Sequence, residues 1–352
     1  MNGGGIERFL LRYISYYNDN NSDSAINHVC VIHDKNRGIV EERLVNYGYK
    51  VYRIPSKKEN LVQFIVGLVK LIKLERIHIF HVHQNYSGWL AILIGKILRR
   101  FVICHGHQYY QSQPLINKIH NALVRPIILL SNYRIACTEE SANWLYKGKC
   151  DLVLPYSMEL DLFRFNPLYK NQILKELGID DAPIIGHIGR ISHQKNQFFL
   201  LDVFREILRI APKAHLIFVG EGELSEDVRE YGEDIANISW IPPREDIHKF
   251  YSAFDLFLLP SNWEGLGIVA IESQANGLPT VVSDVLPSDL DQTELLHRVA
   301  LSKTPSFWAK KVLEILSRVN DDNRLEYNKI LKEGKYNIHN GVDKLFSVYA
   351  NN

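Results

Sequence analysis

Short runs rich in Val, Ile and Leu alternate along the whole chain with longer segments whose apolar residues recur at helical spacing. In the first half this pattern predicts strands at 28–33, 50–54, 77–81, 101–105 and 133–137, with helices over 61–74 and 88–98 and a last strand-like run at 152–155. A second series starts at 184–188 and continues at 215–219, 238–241, 256–259 and 280–283, with helices over 198–210, 244–251 and 268–276. The polar stretch 163–170 reads as a linker. A helix over 308–319, a polar break and a final helix over 340–348 close the chain. Strand–helix alternation of this kind is the mark of parallel sheets. The fold class is therefore α/β, with two doubly wound Rossmann-like domains over 1–165 and 166–325 and a helical tail over 326–352 packing back on the first domain. Ligands of such sheets sit beyond the carboxyl ends of the strands, so two of them facing a central cleft would place two ligands on opposite walls.

Composition narrows the class. With 46% hydrophobic and 23% charged residues, the 352-residue chain is globular and long enough for two cores. Cys30, Cys104, Cys137 and Cys150 lie far apart without a CxxC pair, which fits a reducing cytoplasm better than a disulfide framework or a zinc site. The opening residues lack a secretory apolar core, and the runs 61–72 and 89–98 are too short to span a bilayer. Net charge is +1, yet residues 1–165 carry 21 Lys+Arg against 13 Asp+Glu and the remainder 20 against 27. A basic first half suits a phosphate-bearing partner or peripheral contact with an anionic membrane on its inner face; ordinary drift between domains explains it as well.

The chemistry concentrates in the second half. The run Pro260-Ser-Asn-Trp-Glu264-Gly265-Leu266-Gly267-Ile-Val-Ala-Ile-Glu272 follows an apolar strand and leads into a helix. Its glycines let the backbone approach a ligand and leave amides free at the helix start, where an anion is favoured. Two carboxylates, Glu264 and Glu272, remain to accept hydrogen bonds from a polyol; most glutamates are merely solvated, but this context argues otherwise. The run Gly189-Arg190-Ile-Ser-His-Gln-Lys195-Asn196 puts a planar fork and a point charge five residues apart, suited to a diphosphate. That pair supplies the charge stabilisation a departing diphosphate needs, a task elsewhere given to Mg²⁺.

Together these runs resemble glycosyltransferase family 4 (GT-4), retaining enzymes of the GT-B fold, in the branch that makes bacterial capsular, exo- and O-antigen polysaccharide. The matches extend to Phe218-Val-Gly220-Glu-Gly222, to Val153-Leu-Pro155 followed by Leu160-Asp-Leu-Phe163, and to Ala136-Cys-Thr-Glu-Glu, in the family's order over nearly the whole chain. The resemblance implies that Arg190 and Lys195 hold the diphosphate of a UDP-sugar donor. It gives Glu264 and the amides of Gly265, Leu266 and Gly267 to the sugar and phosphate, and Glu272 to the ribose. Arg244, in Ile241-Pro-Pro-Arg244, matches the base-binding edge. His105 matches the active-site histidine with His107 as fallback, and His81 and His83 line the same cleft. Gly4 and Gly5, in Gly3-Gly4-Gly5-Ile-Glu7, match the family's first glycine loop and would face the acceptor, a lipid-linked saccharide, as would Tyr109 and Tyr110. Because that loop comes so early, the family's first β-strand is expected to be missing. Tyr156-Ser157 stands where the family shows Asn-Gly or Asn-Ala, a change of little expected consequence.

The implied activity is retaining, metal-independent transfer of a hexose or N-acetylhexosamine, with no cofactor and no nucleic-acid partner. The four histidines could converge on a metal, but no Cys or carboxylate is spaced to complete a site, and Asp289-Leu-Asp291 is too short a match to a metal-binding DxD. Lys195→Ala is expected to cut turnover strongly and leave folding intact. The rival class is a catalytically inactive homologue acting as a partner in polysaccharide assembly. A UDP-sugar epimerase is disfavoured by the Glu-x7-Glu run. A hydride-transferring Rossmann enzyme is the least favoured reading, because Gly220-Glu-Gly222 lacks a third glycine at the required spacing.

Overall fold

The computed structural model describes residues 5–20, 29–32, 39–83, 86–107, 115–180, 182–318 and 320–352. The chain divides into a first unit of Met1–Met158 with Lys335–Asn352 and a second of Glu159–Gly334.

The first unit carries strands β1 (Val29–Ile32), β2 (Lys50–Arg53), β3 (Ile79–Val82), β4 (Phe101–Gly106), β5 (Tyr133–Ala136) and β6 (Leu152–Val153). Its helices are α1 (Gly5–Asn20), α2 (Ile39–Asn46), α3 (Leu61–Leu74), α4 (Trp89–Ile97), α5 (Leu115–Ile128) and α6 (Glu139–Tyr146), together with the chain's last helix, Ile338–Ala350. Among the described residues, β1 and β2 form one parallel pair and β3–β4–β5–β6 a second parallel sheet. Side chains alternate across the strands, so Ile103 and Ile135 pack with Phe9 and Tyr13 of α1 and Val342, Leu345 and Phe346 of the last helix. Val102, Cys104 and Ala136 face the other way, onto Ile92, Val124, Ile128 and Leu145 of α4, α5 and α6. Gly3 and Gly4, and with them any strand before the glycine loop, lie outside the described residues, as do Tyr109 and Tyr110. Helix α1 begins at Gly5.

The second unit has strands β7 (Ile184–Ile188), β8 (His215–Val219), β9 (Ile238–Ile241), β10 (Leu256–Leu259), β11 (Thr280–Ser283) and β12 (Leu296–Val299), all parallel in the order β12–β11–β10–β7–β8–β9. Helices α7 (Pro167–Leu177), α8 (Gln197–Ile210), α9 (Ser225–Tyr231), α10 (Ile247–Ala253), α11 (Ile268–Ala275), α12 (Pro305–Leu316) and α13 (Arg324–Glu333) cover it. The central strands β7 and β10 are buried along their whole length, as parallel strands sandwiched by helices must be. Phe204, Ile207 and Trp308 fill one face against Leu216, Phe218, Leu256 and Leu258.

The structure moves two boundaries. The stretch 163–170 lies inside the second unit: the carbonyl of Phe163 accepts from Asn276 Nδ2 at 2.8 Å, and Asn166 caps α7 with Pro167 in the first turn. The expected polar break after α12 contains α13. Its inner face is polar, with Arg324 donating to the carbonyls of Tyr251 and Phe254 at 3.1 Å and Asn328 to those of Leu160 and Ala275 at 2.7 and 3.0 Å. The residues 335–352, with the last helix, now numbered α14, belong to the first unit. There Met158 donates to Tyr336 O at 2.8 Å and Ile338 to Met158 O at 3.0 Å.

Candidate functional site

In the second unit two loops leave the carboxyl ends of adjacent strands β7 and β10 and are stitched together. Asn262 N donates to Gln194 O at 2.8 Å, and Asn196 Nδ2 to Pro260 O at 3.1 Å. A third strand end packs beneath them: Gly189 N donates to Val219 O at 3.0 Å and Ile191 N to Glu221 O at 3.2 Å. A Cβ on Gly220 would land on the carbonyl of Gly189, and one on Gly222 on the carbonyl of Ile191. The glycines of Phe218-Val-Gly220-Glu-Gly222 thus exist so that two loops can run side by side.

This frame brings Lys195 onto Glu264. Nζ lies 2.7 Å from Oε1, with the side chains only 12% and 7% exposed. Ser261 Oγ donates to the same oxygen at 2.7 Å and Gln194 Nε2 to Oε2 at 3.2 Å, so the carboxylate is held from three directions. Arg190 is not in this cluster: its guanidinium is 73% exposed and pairs with Glu223 at 2.9 Å. Glu264 opens the approach to α11. Gly267, with φ of 82°, is the residue before that helix, a backbone angle glycine adopts freely. A Cβ on Gly265 would meet nothing within 4 Å, so internal packing does not require this glycine. Among the described residues nothing accepts from the amides of Gly265, Leu266 and Gly267. Three free N–H groups at a helix N-terminus favour an anion.

Glu272 lies in the second turn of α11, buried, and accepts from Tyr251 OH at 2.7 Å. Burial, and the Glu272 carboxylate beside it, push the Tyr251 phenol well above its ordinary range, so it stays a donor. Arg244 has its fork filled: two nitrogens reach Asp246 at 2.8 and 2.9 Å, and a third pairs with Glu176. The structure therefore gives Arg244 structural partners where the sequence suggests a nucleobase contact. Asp291 accepts from Arg298 at 2.9 Å. Gln194, Ser261 and Tyr251 escape sequence reading: the first two sit inside the motifs as ordinary polar residues, and nothing marks Tyr251.

The first unit gathers its four histidines at the ends of β3 and β4. The rings of His81 and His83 stack with centroids 3.9 Å apart, those of His105 and His107 at 4.0 Å, and His83 and His105 lie 5.2 Å apart. His83 Nδ1 lies 2.9 Å from His107 Nε2, and His81 Nδ1 2.6 Å from Tyr349 OH. His105 is fully buried, and neither ring nitrogen has a hydrogen-bond partner among the described residues. Burial, reinforced by the neighbouring rings, holds His105 and His107 well below the ordinary histidine range, and burial alone takes His83 down to about 3. All three are neutral at pH 7. His81, His83 and His105 bring one nitrogen each within 4.8 Å of one another, close enough to be drawn onto one ion.

Tyr156, whose departure from the family pattern is expected to matter little, has a partner here: its hydroxyl lies 2.8 Å from His107 Nδ1. Ser157 is bonded as well, its Oγ 2.9 Å from Tyr13 OH. Tyr156→Phe, which keeps the ring, is expected to cost about 1 kcal/mol of stability by removing a largely buried hydrogen bond. Denaturant unfolding checks this, and an unchanged midpoint would show that the bond contributes nothing.

Two family models match the chain: one described as glycosyl transferases group 1 over residues 170–332, the other as glycosyltransferase family 4 over residues 3–151. The EpsF protein of Bacillus subtilis is 26% identical over 88% of this chain and 84% of its own. The Escherichia coli UDP-Gal:alpha-D-GlcNAc-diphosphoundecaprenol alpha-1,3-galactosyltransferase is 26% identical over 85% of this chain and 83% of its own. The capsular polysaccharide biosynthesis glycosyltransferase CapH of Staphylococcus aureus is 26% identical over 88% of each. Among solved structures, Anabaena HepE in complex with UDP superposes with a TM-score of 0.80 at 14% identity, covering 99% of this chain and 97% of that one.

Proposed function

We propose, from the premise that this chain belongs to glycosyltransferase family 4 and has the GT-B fold, that it moves a hexose or N-acetylhexosamine, with retention, from a UDP-sugar to a lipid-linked saccharide of a bacterial surface polysaccharide. The observation that carries the reading is the buried Lys195–Glu264 pair beside the unpaired amides of Gly265, Leu266 and Gly267. A departing nucleoside diphosphate needs its growing charge met at the β-phosphate. Lys195, the amides and the dipole of α11 are fixed charges of the right sign, and the exposed Arg190 swings in from Glu223. No metal ion is then required for that task. Glu264 accepts from hydroxyls of the transferred sugar, and Glu272, its position set by Tyr251, accepts from the ribose. We assign no carboxylate as a covalent nucleophile. The acceptor hydroxyl attacks the face the diphosphate leaves, and the diphosphate oxygen takes its proton. His105 is given to the reacting sugar by the family resemblance alone: it is neutral and fully buried among the His81, His83 and His107 rings, and neither ring nitrogen reaches solvent. The names of the Escherichia coli and Staphylococcus aureus relatives support the acceptor class and the pathway.

Calorimetric titration with UDP and with GDP, each with and without EDTA, tests the reading. UDP is expected to bind equally well in EDTA, and Glu272→Ala to weaken it by roughly tenfold or more, the worth of a charged hydrogen bond. Binding that needs a divalent ion, or that ignores Glu272→Ala, sinks it. Tight UDP binding without turnover of any UDP-sugar would favour the inactive-partner alternative.

A further inference from the structure

His81 and His83 stand two residues apart, the first in β3 and the second just past its end, so their side chains leave the same face of the sheet. Strand β4 runs parallel beside β3, with His81 opposite Ile103 and Val82 opposite Cys104; the same register sets His83 level with His105. One ring nitrogen from each of His81, His83 and His105 thus falls within 4.8 Å of the other two. Two imidazoles at i and i+2 of one strand with a third on the next are a ligand set that the sheet itself builds. No Cys or carboxylate is needed to complete it: three imidazoles and an open position for water make up a full zinc coordination.

Two features of the cluster point to an ion and not to ring packing alone. The first is His105, fully buried, with neither ring nitrogen hydrogen-bonded among the described residues. Burying an imidazole in that state forfeits the hydration of both nitrogens with nothing in return, and a ligand ion repairs the loss. The second is that the other two rings are held by their far nitrogens. His81 Nδ1 lies 2.6 Å from Tyr349 OH, and His83 Nδ1 2.9 Å from His107 Nε2, whose own Nδ1 lies 2.8 Å from Tyr156 OH. Outer partners of this kind fix which nitrogen carries the proton and leave the lone pair on Nε2, as they do for metal-bound histidines generally. His81 and His83 are only half-buried, so an ion enters past them. Tetrahedral bonds of about 2.0–2.1 Å bring the three nitrogens to about 3.4 Å from one another, a closure that turning the two half-buried rings supplies.

We propose that His81, His83 and His105 bind one zinc ion through one ring nitrogen each, with water in the fourth position. Imidazole suits Zn²⁺ and its neighbours in the first transition row, whereas Mg²⁺ asks for oxygen ligands, so the site rejects magnesium. The inference concerns the first unit alone and does not rest on the transfer reading, whose charges lie in the second.

Calorimetric titration of the full chain with Zn²⁺, after stripping with EDTA and removal of the chelator, tests the site, and Co²⁺ in place of zinc gives an absorption readout. One zinc per chain is expected, displaced by Co²⁺ competition but not by a large excess of Mg²⁺. The cobalt form should show the intense visible bands of a four-coordinate ion. His83→Ala should lose the zinc, and Tyr349→Phe, which keeps the ring and removes the hydroxyl, should bind it about 10–100-fold more weakly. His339, exposed and 3.4 Å from Asp343 on α14, is the rival place for an adventitious ion, and His339→Ala should bind like wild type. A folded wild-type chain that takes up no zinc overturns the proposal, as does a six-coordinate cobalt spectrum. So does zinc affinity unchanged in His83→Ala, or lost in His339→Ala instead. Should His83→Ala not fold, Tyr349→Phe decides, and wild-type affinity in that variant overturns the site. UDP enters none of these readouts, so failure of the zinc site and failure of the transfer reading are seen separately.

Discussion

Lys195→Ala is expected to lower kcat by about 10²–10³, the loss that follows removal of one fixed charge or donor facing a developing anion. Its second effect is on the fold. Lys195 sits 2.7 Å from Glu264, and both are nearly out of solvent. Deleting one partner of a buried ion pair leaves the other charged and poorly solvated, at about 3–5 kcal/mol in the worst case. Glu264 keeps the Ser261 hydroxyl and the Gln194 amide, so about 1–3 kcal/mol is the expected cost here. Read from sequence, the same substitution looks harmless to folding; the ion pair is the reason it is not. The two effects separate in Lys195→Ala/Glu264→Ala, which should recover part of the lost stability and none of the turnover. Turnover within twofold of wild type in Lys195→Ala would remove this residue from the mechanism.

Acid should act on the first unit before any denaturant is added. His105 and His107 are buried and neutral, with folded-state values well below the ordinary one. In the unfolded chain they titrate near the ordinary value, about 6.5. Their contribution is therefore fully present above about pH 6.5. It is lost as pH falls below that value, because the unfolded chain takes up protons that the folded unit refuses. Each such histidine steepens the loss by about 1.4 kcal/mol per pH unit, so the pair gives about 3. His83, lowered to about 3, adds a further share over the same window. In the second unit His187, also lowered to about 3 by burial, does the same on its own. Hydrogen exchange of the β4 and β5 amides reports the first unit separately and should show protection falling steeply between about pH 6.5 and 5. Protection that stays flat across that range would mean that the rings accept protons in place.

Much of the fold is legible from the chain. Five of the six strands of the second unit fall where apolar runs place them, and for the four central ones, β7, β8, β10 and β11, the reason is that parallel strands covered on both faces have no polar side to blur their ends. Elements that solve burial by other means are not legible. The edge strand β12, Leu-His-Arg-Val, carries polar residues. Helix α13 buries an arginine and an asparagine that satisfy carbonyls from distant segments. The candidate site shows the same division. Lys195, Glu264 and Glu272 are visible because motif spacing within each of the two strand-to-helix segments is local. Their tuning is not local: Tyr251 reaches Glu272 from another helix, and Glu176 occupies Arg244 from a segment 68 residues away.

Residues 335–352 complete a unit whose other part is residues 1–158. During synthesis the ribosome must therefore make the whole second unit before the first can finish. At roughly 5–20 residues per second, that interval is about ten to forty seconds. Throughout it Phe9, Tyr13, Ile103 and Ile135 lack Val342, Leu345 and Phe346, and this apolar cluster stays only partly covered on the nascent chain. The half made first is therefore the half whose chain is completed last.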